Sequence, residues 1–373
     1  MINVLIVFGT RPETIKVAPI IKELKRHPDT FRCQLCITGQ HRQMVDSLLN
    51  VFEIVPDFDL EIMRDNQTLE YITSSVINKV SDIIKENRPD YLIVQGDTTT
   101  AMAAGLAAFY NRVKVAHVEA GLRTWNKYEP FPEEVNRKII DDISDLCFAH
   151  SEQAKNNLLK EGMPESKIAV TGNTVIDALL DIAGRDIPEK GTILEKIDAD
   201  QRKMILVTAH RRENFGEPIN NICKAIKKLA VERDDVFFVY PVHLNPNIQK
   251  PVNHHLQNLE NVLLIPPLGY VEFVHLMKKS FFILSDSGGI QEESPSLDKP
   301  VLVLRDVTER PEALQTGAIE LVGTNEDRIV ERFNLLMDDA DHYNRMAQAK
   351  NPYGDGKAGY RIVQSIINAE KGL

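Results

Sequence analysis

The segment DSGGIQEE, Asp286 to Glu293, follows the apolar run FFIL and sets a glycine turn directly before two adjacent carboxylates. A helix predicted from Ile290 would present the amides of Ser287, Gly288 and Gly289 at its start. Unpaired N–H groups and the positive end of the helix dipole there can hold a diphosphate. Phosphate and carboxylate repel, so Glu292 and Glu293 must serve a different part of the same ligand. A carboxylate one turn into the helix can accept both hydroxyls of a ribose, whose donors need such a partner. The competing reading is an acidic pair that complements the helix dipole.

Other polar stretches follow apolar runs in the same way. In the first half they are GTRPETIK, TGQHRQ, QGDTTT and HVEAGLRT, with PFPEEVNR after them; in the second they are TAHRRENFG, PVHLNPN, PPLGY and RDVTERPE. Arg11 and Lys16 lie close to a helix start, where they could neutralise phosphate oxygens, although each read singly is a solvated charge. The dinucleotide pattern G-x-G-x-x-G is missing where it should open the first helix, and no G-x-x-x-x-G-K-[ST] occurs. Nicotinamide and P-loop chemistry are therefore not expected.

These loops need elements to hold them. Short β-branched runs (NVLIVF, CQLCIT, YLIVQG, KVAHVE) alternate with longer amphipathic segments, and the series restarts at KMILVTA, continuing through VFFVYPV, NVLLIPP, FFILSD and PVLVLR. That alternation predicts βαβ units with parallel sheets. The expected fold is α/β, with two doubly wound, Rossmann-like domains and a deep cleft between them. The domains are expected over 1–171 and 172–355, with the C-terminal helix 356–373 completing the first. Ligands of parallel sheets bind beyond the carboxyl ends of the strands, where the polar stretches fall.

The chain has 373 residues, 43% apolar and 26% charged, and a formal net charge of −10. This length exceeds one ordinary core, which stops growing near roughly 250–300 residues. The negative charge argues against nucleic-acid or anionic-membrane surfaces. No run approaches the roughly 20 apolar residues of a membrane span, and MINVLIVFGTRPE reads as a buried strand, so a cytoplasmic protein is expected. Cys33 and Cys36 form a C-x-x-C within a predicted strand, where odd spacing sends them to opposite faces. Buried thiols are expected there, and no metal.

Taken in order, GTRPETIK, TGQHRQM, GDTTTAMAAGLAAFY, HVEAGLRT, PEEVNR, TGNTVIDAL, TAHRREN, HLNPN, DSGGIQEE and LRDVTERPEA span both halves. With these motifs the chain resembles the non-hydrolysing UDP-N-acetylglucosamine 2-epimerases, a GT-B-like nucleotide-sugar family. The resemblance implies reversible conversion of UDP-GlcNAc to UDP-ManNAc without metal or cofactor, UDP as a further ligand, ManNAc supply for surface polysaccharides, and a homodimer. It places Asp97, Glu119, Glu133 and His210 in the chemistry. It places Arg11, Lys16, Phe273, Ser287, Gly288, Gly289, Glu293 and Arg310 on UDP. A second, regulatory UDP-GlcNAc would meet Gln40, His41, Gln43 and His243. Gln95 stands where the family commonly has histidine, and Asn66 where some bacterial members carry arginine. The alternatives are a hydrolysing epimerase, a GT-B glycosyltransferase and a non-catalytic nucleotide-sugar sensor.

Overall fold

The computed structural model describes residues 1–39, 42–64, 67–188, 192–198 and 200–372. The chain forms two compact units, one of Met1–Ala178 with Tyr353–Leu373 and the other of Leu179–Pro352. Among the described residues each unit holds one parallel sheet flanked by helices.

In the first unit the strands are β1 (Ile2–Phe8), β2 (Phe31–Ile37), β3 (Phe58–Asp59), β4 (Tyr91–Gln95), β5 (Lys114–Ala120), β6 (Leu146–Ala149) and β7 (Ile168–Val170), in the order β3-β2-β1-β4-β5-β6-β7. The second unit has β8 (Lys203–Thr208), β9 (Val236–Pro241), β10 (Val262–Ile265), β11 (Phe282–Ser285), β12 (Val301–Val303) and β13 (Ile319–Leu321), in the order β10-β9-β8-β11-β12-β13. The strand order reverses between β1 and β4, and again between β8 and β11. At these switch points the two crossovers diverge and leave room above the strand ends. In register, Ile6 faces Ile93 and Ser285 faces Thr208. The residues that follow are Gly9–Arg11 beside Gly96–Asp97 in one unit, and Ala209–Arg211 beside Asp286–Gly289 in the other.

Helices cover both faces of the first sheet, which is why its strands are apolar without alternation. Val4, Ile6 and Phe8 enter one core and Leu5 and Val7 the opposite one. Ile362, Val363 and Ile366 of the last helix, Ala358–Glu370, are fully buried in the first of these cores. Each contributes on the order of 1.5–3 kcal/mol by burial. Cys33 and Cys36 point to the two different cores, and burial pushes both thiols up to about 12. Among the described residues no helix is long and apolar enough to cross a membrane.

Candidate active site

In the first unit the site is built around Glu119. This residue is the penultimate one of β5, at an irregularity where pairing with β6 shifts register between Val118 and Ala120. Its φ of 70° is left-handed, a conformation that a residue with a Cβ holds only against strain of about 1–3 kcal/mol. The carboxylate is held in return: Lys16 Nζ donates to both oxygens at 2.6 and 2.7 Å, Gln95 Nε2 to Oε2 at 2.5 Å, and Asn173 Nδ2 to Oε1 at 3.3 Å. Three segments distant in sequence thus converge on one acid. Neither Gln95 nor Asn173 stands out by residue type, yet both follow apolar runs at strand ends, which was the available signal.

Asp97 is next to this acid. A Cβ on Gly96 would lie 3.7 Å from Glu119 Oε2. Asp97 Oδ2 accepts from Arg137 Nε at 2.9 Å and from its Nη2 at 2.7 Å, while Asn136 Nδ2 donates to the Asp97 carbonyl at 2.9 Å. The helix Glu133–Ile143, in the motif PEEVNR, is therefore docked onto the Asp97 loop. Its two leading acids separate in role. Glu134, 1% exposed, accepts from the amides of Thr124 and Trp125 at 3.0 Å each and from Arg137 at 3.1 Å. Glu133 Oε2 is buried with no hydrogen-bond partner.

The first loop is fixed by Glu13. Its Oε2 accepts from the amides of Gly9 at 3.0 Å and Thr10 at 2.7 Å, and its Oε1 from Thr98 Oγ1 at 2.7 Å. With Thr10 it forms a capping box at the start of the helix Arg11–Lys25, which leaves Arg11 exposed in the first turn and Lys16 one turn further in.

In the second unit Asp286, absent from the sequence-derived site, is the hub. It is fully buried, and its Oδ2 accepts from the amides of His210 and Arg211 at 2.8 Å each and from Asn214 Nδ2 at 2.9 Å. The His210 ring is 3.7 Å from Asp286 Oδ1 and stacks on His243, with centroids 5.5 Å apart and an interplanar angle of 8°. Burial lowers the His210 pKa, helped by His243 and Arg211 and opposed by Asp286.

The helix expected from Ile290 begins two residues earlier, over Gly288–Glu293, with Ser287 as N-cap. The amide of Ser287 donates to Ser285 Oγ at 3.0 Å, which turns the loop back onto β11. Glu292, 5% exposed, is joined by a close ion pair to Arg310. A Cβ on Gly288 would lie 3.3 Å from Arg211 Nη2 and 3.7 Å from Arg310 Nη2, and one on Gly289 would lie 3.4 Å from Glu293 Oε1. Arg211, Arg310 and Glu293 thus border this turn. Phe273 is half-buried on the helix Tyr270–Lys279, which follows β10. Gln40, His41 and Asn66 lie outside the described residues, as does the side chain of Gln43.

The switch point of the first unit thus carries paired acids, and that of the second a glycine turn bordered by guanidinium groups, which suits a phosphorylated ligand. A family model described as UDP-N-acetylglucosamine 2-epimerase matches residues 22–367. The chain belongs to the UDP-N-acetylglucosamine 2-epimerase family. It is 51% identical to the UDP-N-acetylglucosamine 2-epimerase of Bacillus subtilis (strain 168), over 98% of this chain and 95% of the relative. To that of Campylobacter jejuni it is 49% identical, over 99% of this chain and 98% of the relative. The crystal structure of UDP-GlcNAc 2-epimerase from Neisseria meningitidis bound to UDP-GlcNAc superposes with a TM-score of 0.86 at 50% identity, over 98% of this chain and 100% of that one. This epimerase is accordingly an isomerase with the two-domain, GT-B-like α/β fold of its relatives.

Proposed function

We propose that this epimerase interconverts UDP-GlcNAc and UDP-ManNAc by elimination and re-addition of UDP. The observation that carries the reading is Glu119, held in a left-handed conformation by Lys16, Gln95 and Asn173 beside Asp97. The hydrogen on C2 of the sugar is not next to a carbonyl, so a carboxylate needs help to remove it. As the C1–O bond breaks and UDP takes the electron pair, C1 gains oxocarbenium character and the C2 hydrogen becomes acidic. A base then takes that proton and C1=C2 forms, giving 2-acetamidoglucal. Return of a proton to the opposite face of C2, with UDP rejoining C1, gives the epimer.

The geometry supports a division among the acids. Asp97 and Glu119 are each held in place by a cation, Arg137 and Lys16, and so are positioned to stabilise positive charge on the sugar. Glu133, whose Oε2 has no hydrogen-bond partner, is the acid suited to moving the proton. Such assistance accounts for roughly 10²- to 10⁴-fold in rate per step. On the UDP side, Arg11, Arg310 and the Gly288–Gly289 turn take the diphosphate, Glu293 the ribose and Phe273 the base, with His210 near the leaving phosphate. UDP-ManNAc and UDP as further ligands, a homodimer and a cytoplasmic location belong to the same reading. Supply of ManNAc for surface polysaccharides follows from it.

A regulatory UDP-GlcNAc remains part of the proposal because His243, its second-unit contact, stacks directly on His210. A ligand that moves one ring moves the other.

The test is incubation of UDP-GlcNAc alone with the enzyme in deuterated water, followed by NMR. UDP-ManNAc carrying deuterium at C2 is expected. Product that keeps its original C2 hydrogen rules out elimination, and release of free ManNAc with UDP favours the hydrolysing alternative.

A further inference from the structure

His117 and Asp141 belong to none of the roles above, and both are enclosed, at 0% and 3% exposure. His117 lies on β5, two residues before Glu119; Asp141 lies on the helix that begins at Glu133. His117 Nδ1 is 2.6 Å from Asp141 Oδ1, and its Nε2 is 2.7 Å from the carbonyl of Gly96. A carboxylate and a carbonyl can only accept, so both contacts are hydrogen bonds only when both ring nitrogens carry protons. The other Asp141 oxygen accepts from the Gly121 amide at 3.2 Å and from Arg123 Nη2 at 2.6 Å. Arg123 in turn meets Glu161 at 2.5 Å, which meets Lys138 at 3.1 Å, so charges of alternating sign run outward from the buried ring. Burial alone would raise the Asp141 pKa, but His117 and Arg123 outweigh it and hold the carboxyl below its ordinary range.

These contacts bracket the two reacting loops. Asp141 grips the chain on both sides of Glu119, at residues 117 and 121, where the backbone turns left-handed at Glu119 and again at Gly121. Gly121 is confined as well, since a Cβ there would lie 2.3 Å from the Ala154 carbonyl. Through the same ring the carbonyl immediately before Asp97 is fixed. We propose that His117 and Asp141 are positioning residues that lock the Asp97 loop and the strained Glu119 turn into one rigid unit. The pair touches no reacting atom; it sets the distance between two acids that must face one sugar. This rests on the proposed roles of Asp97 and Glu119.

The experiment uses the full-length enzyme and the variants His117→Asn, His117→Gln and Asp141→Asn, with UDP titration by calorimetry counting folded, binding-competent molecules. A misplacement of about 1 Å can cost on the order of 100-fold in rate. His117→Asn and Asp141→Asn are therefore expected to lose at least about 30-fold in kcat per UDP-binding molecule, with KM and UDP affinity within about three-fold of wild type. His117→Gln, whose amide can still donate toward the Gly96 carbonyl, should recover part of that loss. A crystal structure of the wild-type enzyme should show His117 Nδ1 and Nε2 within about 3.2 Å of Asp141 and of the Gly96 carbonyl respectively, a measurement that stands even where a variant does not fold. A ring that meets only one of the two overturns the proposal. So do kcat values within three-fold of wild type, or losses in kcat matched by equal losses in UDP affinity. Wild-type enzyme without epimerase activity would instead overturn the functional reading beneath it.

Discussion

Lys16 Nζ lies 2.6 and 2.7 Å from the two carboxylate oxygens of Glu119. The resemblance places Lys16 on the phosphate side of the ligand, yet here its ammonium group neutralises an acid in a left-handed turn. Both side chains are largely enclosed, at 17% and 8% exposure. Removing one member of such a pair leaves the other charge without its main compensation. Lys16→Met is expected to lower the stability of the first unit by roughly 1–3 kcal/mol and kcat by about 100-fold or more. Urea denaturation and steady-state kinetics check both. Combined with Glu119→Gln the stability losses should fall short of additive by at least about 1 kcal/mol. Full additivity would show that the two residues act independently.

Glu133 and Glu134 are adjacent in sequence and opposite in role. Glu133→Gln is expected to keep stability within about 0.5 kcal/mol, a surface-like effect, while lowering kcat by on the order of 10²- to 10⁴-fold. Glu134→Ala strands the Thr124 and Trp125 amides and an Arg137 donor. It should cost about 2–4 kcal/mol, from desolvation of more than one unmade hydrogen bond. Thermal melts beside kinetics separate the two outcomes, and identical behaviour of the two variants refutes the assignment.

His210 supplies a pH dependence. Burial lowers its pKa in the folded enzyme, with Asp286 opposing and His243 and Arg211 assisting. Between that lowered value and about 6.5, the unfolded chain binds more protons, so stability rises with pH. The contribution is present in full above about pH 6.5 and is lost as pH falls through the folded value. The ring is 42% exposed, so the effect is small. NMR titration of the ligand-free enzyme should place the His210 midpoint below 6.5, and His210→Gln should flatten the stability profile between pH 5 and about 7 relative to wild type. A midpoint at or above 6.5 contradicts this account.

The long apolar runs were legible because a strand covered by helices on both faces leaves no polar position to disguise it. NVLIVF, YLIVQG and KMILVTA fall on β1, β4 and β8, which flank the switch points. Phe58–Asp59, Leu146–Ala149, Ile168–Val170 and Ile319–Leu321 were not, being short and without the unbroken run of Val, Ile, Leu and Phe that marks the equally short β10, β11 and β12. The Gly288–Gly289 turn could be picked out from its own residues, whereas Glu119 was named only through the family resemblance. The site was not legible where a residue acts through distant partners. Asp286 reads as part of a phosphate loop, although its carboxylate serves residues 210, 211 and 214. The adjacent acids Glu292 and Glu293 likewise differ through a contact far along the chain: Glu292 is buried and paired with Arg310, eighteen positions on, while Glu293 is only partly buried.

Glu13 provides the last prediction, because a buried carboxylate with three donors can be tested by shape and charge separately. Burial raises its pKa despite hydrogen bonds from Thr98, Thr10 and Gly9. A folded value above the unfolded one means that its contribution is complete below about pH 4.3 and is lost as pH rises through the folded value. At neutral pH the charge is therefore a cost, and the hydrogen bonds are the gain. Glu13→Gln removes the charge yet keeps an oxygen for the Gly9 and Thr10 amides, and Thr98 Oγ1 can turn to accept from the new amide. It should change stability at pH 7.5 by less than about 1 kcal/mol. Glu13→Ala removes the capping box and leaves two amides unpaired at the Arg11 loop, for an expected loss of about 2–4 kcal/mol. Urea melts at pH 7.5 and at pH 5 decide the matter: the gap between wild type and Glu13→Gln should move in favour of wild type at the lower pH. If Glu13→Gln is as damaging as Glu13→Ala, the carboxylate charge itself holds the loop and the balance of burial against hydrogen bonding argued here is wrong.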